Sequence, residues 1–220
     1  MQRRTALTMS ISLPLTIRAL GALPPEHSLV DAAARGDIAL ARRLLDAGTP
    51  VEQRDAHGRT PVLAATAGKH LEVVKLLITR GADVNAQDDQ RDSAFLLAGA
   101  DGSTEIVRAT LAAGADLKST NRYGGTALIP ACHHGHVETV RLLLATAINV
   151  DHVNKLGWTA LLEAVILGDG GPAYTEIVRQ LIARGAHVNL ADGQKITPLQ
   201  HALQRRQDGI EKLLRAAGGR

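Results

Sequence analysis

Apolar positions along this chain come in short runs that return at a fixed interval. From residue 55 onward one layout repeats. A polar turn leads to a Thr or Ser, a short apolar run, a glycine, a longer apolar run, and Gly-Ala-Asp or a variant of it. Gly48, Gly81 and Gly114 are spaced by 33, as are Thr60, Ser93, Thr126 and Thr159. Units begin at Asp55, Asp88, Asn121, Asn154 and Asp192, and a degenerate one precedes them. The unit from Asn154 is 38 residues long, because five extra residues enter after Gly168. Self-similarity of this kind marks an array in which each unit buries its apolar face against its neighbours.

Within a unit the pattern predicts two helices. Threonine before Pro61 is an N-cap followed by proline at the first helical position, where its missing N–H costs nothing. The longer run, Leu71 to Arg80, ends at Gly81, which can take the left-handed conformation of a C-cap. Its Val73, Val74, Leu76, Leu77 and Ile78 cover more than one face, so that helix must be packed on two sides. At the ends, Arg42 and Arg43 stand beside Leu44 and Leu45, and Glu211, Lys212 and Arg215 beside Ile210, Leu213 and Leu214, as expected of helices with one neighbour.

Composition agrees with stacked short helices. Of 220 residues 45% are apolar but only 2% aromatic (Phe95, Tyr123, Trp158, Tyr174), so the interior is filled by small and branched aliphatics. A β-sandwich is disfavoured. A lone Cys132 excludes an intramolecular disulfide and any cysteine-only zinc site. No stretch reaches the run of about eighteen apolar residues that a membrane helix requires.

The formal charge of +3 and pI near 9.3 suggest an anionic partner until the charges are placed. Residues 1–21 hold Arg3, Arg4 and Arg18 and no acid, and the rest of the chain is balanced against its 22 acids. A neutral body lacks the field that drives phosphate binding, so nucleic acid is not the expected partner. The same segment reads as a basic start, a moderately apolar run from Thr5 to Ile17, then Ala19, Gly21 and Ala22, the order of a secretory leader. Its Arg3-Arg4-Thr5-Ala6-Leu7 start resembles a loose twin-arginine signal. The expectation is a periplasmic or secreted protein with a mature N-terminus near Ala22 or Leu23. The alternative is an unstructured tail on a cytoplasmic one.

Gly58-Arg59-Thr60-Pro61, Gly135-His136-Val137-Glu138 and Gly81-Ala82-Asp83-Val84-Asn85-Ala86 carry a resemblance to the ankyrin-repeat family, and the overall flavour is similar to stand-alone bacterial members. The resemblance implies an all-α solenoid of helix-turn-helix units with β-turn or hairpin tips. It spans residues 22–220, with repeats at about 22–54, 55–87, 88–120, 121–153, 154–191 and 192–218. Departures from the family pattern are visible. Leu63, Leu96, Ile129, Leu162 and Gln200 stand where its T-P-L-H histidine would be, so apolar packing must replace that residue's bonds. Arg91 and Lys195 replace turn glycines, and Pro130 enters a short helix, so irregularity is expected at all three. Ala147 replaces a C-cap glycine, which puts its left-handed residue in doubt.

Chemistry-bearing clusters are few. His133, His134 and His136, with His152, are the densest set. The family's Gly-His pattern makes His136 structural, and adjacent helical positions should make His133 and His134 diverge, so neither a metal nor a cofactor is expected. Cys132 beside His133 suggests a dyad whose members point apart; a buried thiol is the expectation. Gly168-Asp169-Gly170-Gly171-Pro172 lacks the Lys-Ser/Thr of a phosphate loop and reads as a longer turn. The remaining alternatives are a metal-dependent or Cys/His enzyme and a secreted regulator of a partner enzyme.

What remains is surface. The resemblance places partner binding on the concave side, at turn tips and short helices. There the residues to single out are His57, Arg59, Arg122, Tyr123, His133, His134, Lys155, Leu156 and Trp158. Aromatics and arginine dominate interface energetics, and the scaffold does not require Tyr123, Leu156 or Trp158 at such tips. A non-catalytic, monomeric protein-binding scaffold is the expected function.

Overall fold

The computed structural model describes residues 28–220, so the expected leader at 1–21 lies outside it. Twelve helices follow one another: α1 Leu29–Ala34, α2 Ile38–Asp46, α3 Pro61–Ala67, α4 Leu71–Thr79, α5 Ala94–Ala100, α6 Thr104–Ala112, α7 Leu128–His133, α8 Val137–Leu144, α9 Ala160–Leu167, α10 Pro172–Ala183, α11 Pro198–Gln204 and α12 Asp208–Ala216. No strand occurs among the described residues. Odd-numbered helices pack on one another in one layer and even-numbered helices in a second, so each pair touches the pairs before and after it.

Helices this short do not stand alone; isolated ones need about 12–15 residues even in favourable sequences. Packing between neighbours holds them. Leu29, Leu77, Phe95, Leu128, Leu143, Leu161 and Leu181 are essentially fully buried in one continuous core. Each such leucine contributes about 1.5–3 kcal/mol against about 1 kcal/mol for a cap. The terminal helices are covered on one side: Ala41 and Leu44 in α2, Ile210 and Leu214 in α12 are buried, with the charged residues outward.

Caps form largely where the sequence put them. Thr60, Ser93 and Thr159 accept the N–H of the residue three on, and Thr197 with Gln200 makes a reciprocal capping box. Thr126 does not cap. In α3, α5 and α9 the cap carbonyl also receives an N–H from the residue four on, which here is Pro130 and has none. Its carbonyl instead takes Ile129 N–H at 3.2 Å, helix α7 starts late at Leu128, and Thr126 Oγ1 is buried without a partner. The irregularity expected of Pro130 is real.

Two other turns correct the sequence reading. Arg91 and Lys195 adopt φ of 62° and 65°, close to the 72° of Gly58, and their turns keep the same hydrogen bonds. The turns are regular; the residues absorb the unfavourable conformation. The five-residue insertion is not simply a longer turn either. One residue extends α9, one widens the turn, and three lengthen α10 at its start, compared with α3 and α4. At Ala147 the doubt was justified: the left-handed residue is missing, α8 ends early, and the Thr146 hydroxyl donates to Leu143 O at 2.6 Å while accepting Ile148 N–H.

A side-chain ladder also ties unit to unit. His70 and His136, each just before a second helix, donate from Nε2 to Ala34 O and Ala100 O of the preceding unit, both at 3.1 Å. His136 is structural, as the family pattern implied. In the lengthened unit Tyr174 does this from α10, its hydroxyl donating to His133 O at 2.8 Å.

Candidate functional site

Each tip is built by one side chain. Asn121 Oδ1 accepts the N–H groups of Tyr123 and Gly125, and Asn154 Oδ1 those of Leu156 and Trp158, at 2.9–3.1 Å. Such a closed turn pushes its third residue outward. Tyr123 and Leu156 are accordingly 54% and 56% exposed. Lys155 N–H donates to Tyr123 O at 2.9 Å, so the two tips lie side by side.

Beneath these tips, on the odd-helix layer, lies a cavity of about 260 Å³. Tyr123, Leu156 and Leu167 line it, with Gly125, Ile129, Pro130 and His133 from the Asn121 unit and Asn154 and Glu163 from the next. Leu167 is also exposed, at the end of the extended α9. Glu163 is 5% exposed, in an otherwise apolar stretch of α9. Its Oε1 accepts from Asn154 Nδ2 at 2.9 Å, and its Oε2 lies 3.7 Å from His133 Nδ1. Burial pushes Glu163 up to about 7, against the opposing effect of the Asn154 hydrogen bond. Burial, then neighbouring His134, lowers His133.

The rim is cationic but occupied. The Arg122 guanidinium sits 4.8 Å above the Tyr123 ring, donates to Gln90 Oε1 at 3.0 Å, and lies 3.9 Å from Asp92. Lys155 Nζ donates to Arg122 O at 2.9 Å.

Of the residues singled out from sequence, Tyr123, Leu156 and His133 meet at the cavity, with Arg122 and Lys155 at its edge. His134 joins through His133, and here the structure overturns the expected divergence. The two rings stack at 4.3 Å and 12° instead of splaying apart. No group of three possible metal ligands occurs among the described residues. Trp158 is half-buried and does not line the cavity. Its amide and carbonyl close the Asn154 turn. His57 and Arg59 belong to a different tip, where Arg59 is paired with Asp55 at 2.7 Å. Cys132 is fully buried and its thiol is pushed far up by burial, leaving no thiolate for a nucleophile. Glu163 was missed, although one carboxylate in an apolar helical run was a legible signal.

A family model for ankyrin repeats, in three copies, matches residues 26–88 and 95–192. The chain belongs to the ankyrin-repeat family. Solved structures place it more closely. It is 54% identical to an ankyrin repeat domain from Acinetobacter baumannii, covering 89% of this chain and all of that one, with a TM-score of 0.86. It is 38% identical to an Enterococcus ankyrin-repeat protein, covering 88% of this chain and 98% of that one, at 0.83. With the ankyrin repeat domain of Bcl-3, a member of the IκB protein family, it shares 28% identity over 91% of this chain and 88% of that one, at 0.78. No curated protein matched the sequence. Ankyrin repeats are in general protein–protein interaction modules, and no helix among the described residues is long and apolar enough to cross a membrane.

Proposed function

We propose that this ankyrin-repeat array is a non-catalytic binding module that holds one protein partner on the face formed by the Asn121 and Asn154 tips. The observation that carries this reading is the placement of three exposed apolar side chains, Tyr123, Leu156 and Leu167, around one concave cavity. Exposed apolar clusters on a concave surface are docking features, and a rigid stack contributes little ordering entropy on association. The balanced body charge favours a protein over nucleic acid, and the polar terminal helices favour a single copy.

The test is affinity capture from the native source with the wild-type chain and with Tyr123→Ala/Leu156→Ala, both at exposed tips. A protein retained by the wild type and reduced at least tenfold by the double variant, at unchanged melting temperature, supports the reading. Equal retention overturns it. Trp158→Ala sharpens the site: with its ring half-buried, part of its effect should appear as lost stability, and the ratio of lost affinity to lost stability ranks it as anchor or as packing. Export is part of the same proposal, supported by the order of residues 1–22. Mass spectrometry of the mature protein should find Ala22 or Leu23 first; intact Met1 in a cytoplasmic fraction would sink it.

A further inference from the structure

The cavity beneath the tips has walls and a floor of different chemistry. Tyr123, Ile129, Leu156 and Leu167 make the walls, and at the base lies the carboxylate of Glu163, its side chain 6% exposed. Oε1 is taken by Asn154 Nδ2, while Oε2 has only His133 Nδ1, at 3.7 Å, beyond hydrogen-bond length. No lysine or arginine lines the cavity among the described residues. Arg122 and Lys155 at the rim are bonded to Gln90 and to a backbone carbonyl.

The stack does not demand a carboxylate here. The corresponding position in the four preceding units holds Asp31, Ala64, Leu97 and Pro130, and Asp31 Oδ2 accepts the Ser28 hydroxyl at 2.5 Å within its own unit. In the last unit it is His201, whose Nε2 is answered by Asp192 Oδ2 at 2.8 Å within its own unit. Among these corresponding positions Glu163 alone leaves a carboxylate oxygen facing a cavity, and a buried, half-answered carboxylate is costly unless a cation meets it.

We propose that this cavity takes one lysine side chain of the protein partner, its aliphatic stem against Tyr123, Ile129, Leu156 and Leu167 and its ammonium on Glu163 Oε2. Lysine fits better than arginine. A compact ammonium is satisfied by one free oxygen, whereas a guanidinium is best matched by both, and Oε1 is already engaged. Long apolar stems lie readily along apolar walls while their charged ends seek a polar partner. The assignment depends on this face being the binding face and adds the chemistry it reads.

Titration of the ¹⁵N-labelled full chain with Nα-acetyl-lysine methylamide, followed by amide shifts, tests it. The lysine derivative should move the amides of Tyr123, Ile129, Leu156 and Glu163. It should bind at least fivefold more tightly than the norleucine derivative, which has the stem without the charge. Glu163→Gln, whose amide oxygen can still accept from Asn154, should abolish that preference. Tyr123→Ala, at an exposed tip, should weaken binding while leaving the fold intact, and carries the test if Glu163→Gln does not fold. Equal affinity for norleucine, an unchanged preference in Glu163→Gln, tighter binding of the arginine derivative, or shifts centred elsewhere would each overturn the lysine pocket. Because the probe needs no partner, such a failure alongside partner capture that still depends on Tyr123 and Leu156 removes only the cation chemistry. Loss of that dependence removes the binding face itself.

Discussion

The tips at Asp55 and Asp88 and the tips at Asn121 and Asn154 use the same backbone turn, closed by the same two N–H bonds to a side-chain oxygen. They differ in what surrounds it. In the first pair, polar side chains seal the turn. Arg59 pairs with Asp55, Arg54 bridges Gly58 O and Gln87 O, and Gln87 bridges Arg91 O and Thr120 O. In the second pair Gly125 stands in the place of Arg59, and Thr120 and Val153 in those of Arg54 and Gln87. A single bond, His152 Nε2 to Gly124 O at 2.7 Å, replaces these bridges, α7 starts late at Leu128, and a carboxylate, Glu163, occupies the position held by Ala64 and Leu97. One scaffold thus presents a closed surface in one half and a cavity in the next, through side chains that leave the turn itself unchanged.

The largest effect should separate the two kinds of turn. Asn154 is 7% exposed and makes three side-chain hydrogen bonds, one of them to the buried Glu163. Asn154→Ala should cost about 2–3 kcal/mol in urea unfolding, against about 1 kcal/mol for Asp55→Ala at its more exposed tip. Equal costs would mean that burial at the cavity adds nothing to the turn.

Glu163 gives the second contrast, with the sign set by its raised pKa. In the folded chain the carboxyl holds its proton up to about 7, above the 4.5 of a free glutamate. The protonated form therefore favours folding below about 4.5, and this contribution is lost as pH rises through 7. Wild-type stability should fall relative to Glu163→Gln by about 1–2 kcal/mol between pH 4.5 and 8. His133, lowered by burial, has the opposite sign: its contribution is present above the pKa of a free histidine and lost at lower pH. Because His133 lies 3.7 Å from Glu163, the comparison is made in a His133→Ala background, where the difference isolates Glu163. Parallel curves would show that the carboxyl titrates normally.

Pro130→Ala should convert the second kind of unit toward the first. It restores the N–H that Thr126 O lacks and lets Thr126 cap α7, raising stability by about 1 kcal/mol while narrowing the cavity. Slower amide exchange in α7 is the direct readout; unchanged exchange at Ile129 and Ala131 would refute it. The smallest effect lies in the turns. Arg91→Gly and Lys195→Gly should each stabilise by about 0.5–1 kcal/mol by relieving a left-handed backbone, without altering the tips. A loss of stability would show that these side chains hold their turns through contacts.

Periodicity, caps and the glycine spacing determined the repeat number, both helices of each unit and the core, because these follow from local pattern repeated at constant period. Tyr123 and Leu156 were legible as surplus apolar residues at tips that need none. Glu163 and Leu167 were not connected to Tyr123, since they lie on α9 of the next unit and meet it only when neighbouring units stack. The stacking of His133 on His134 was likewise not legible, because it depends on the side-chain rotamers and not on the helical spacing of the two positions. Arg91 and Lys195 show the same limit from the other side. Locally they predict distortion, and only the hydrogen bonds of the surrounding turn, repeated from unit to unit, force them into the conformation that glycine takes elsewhere.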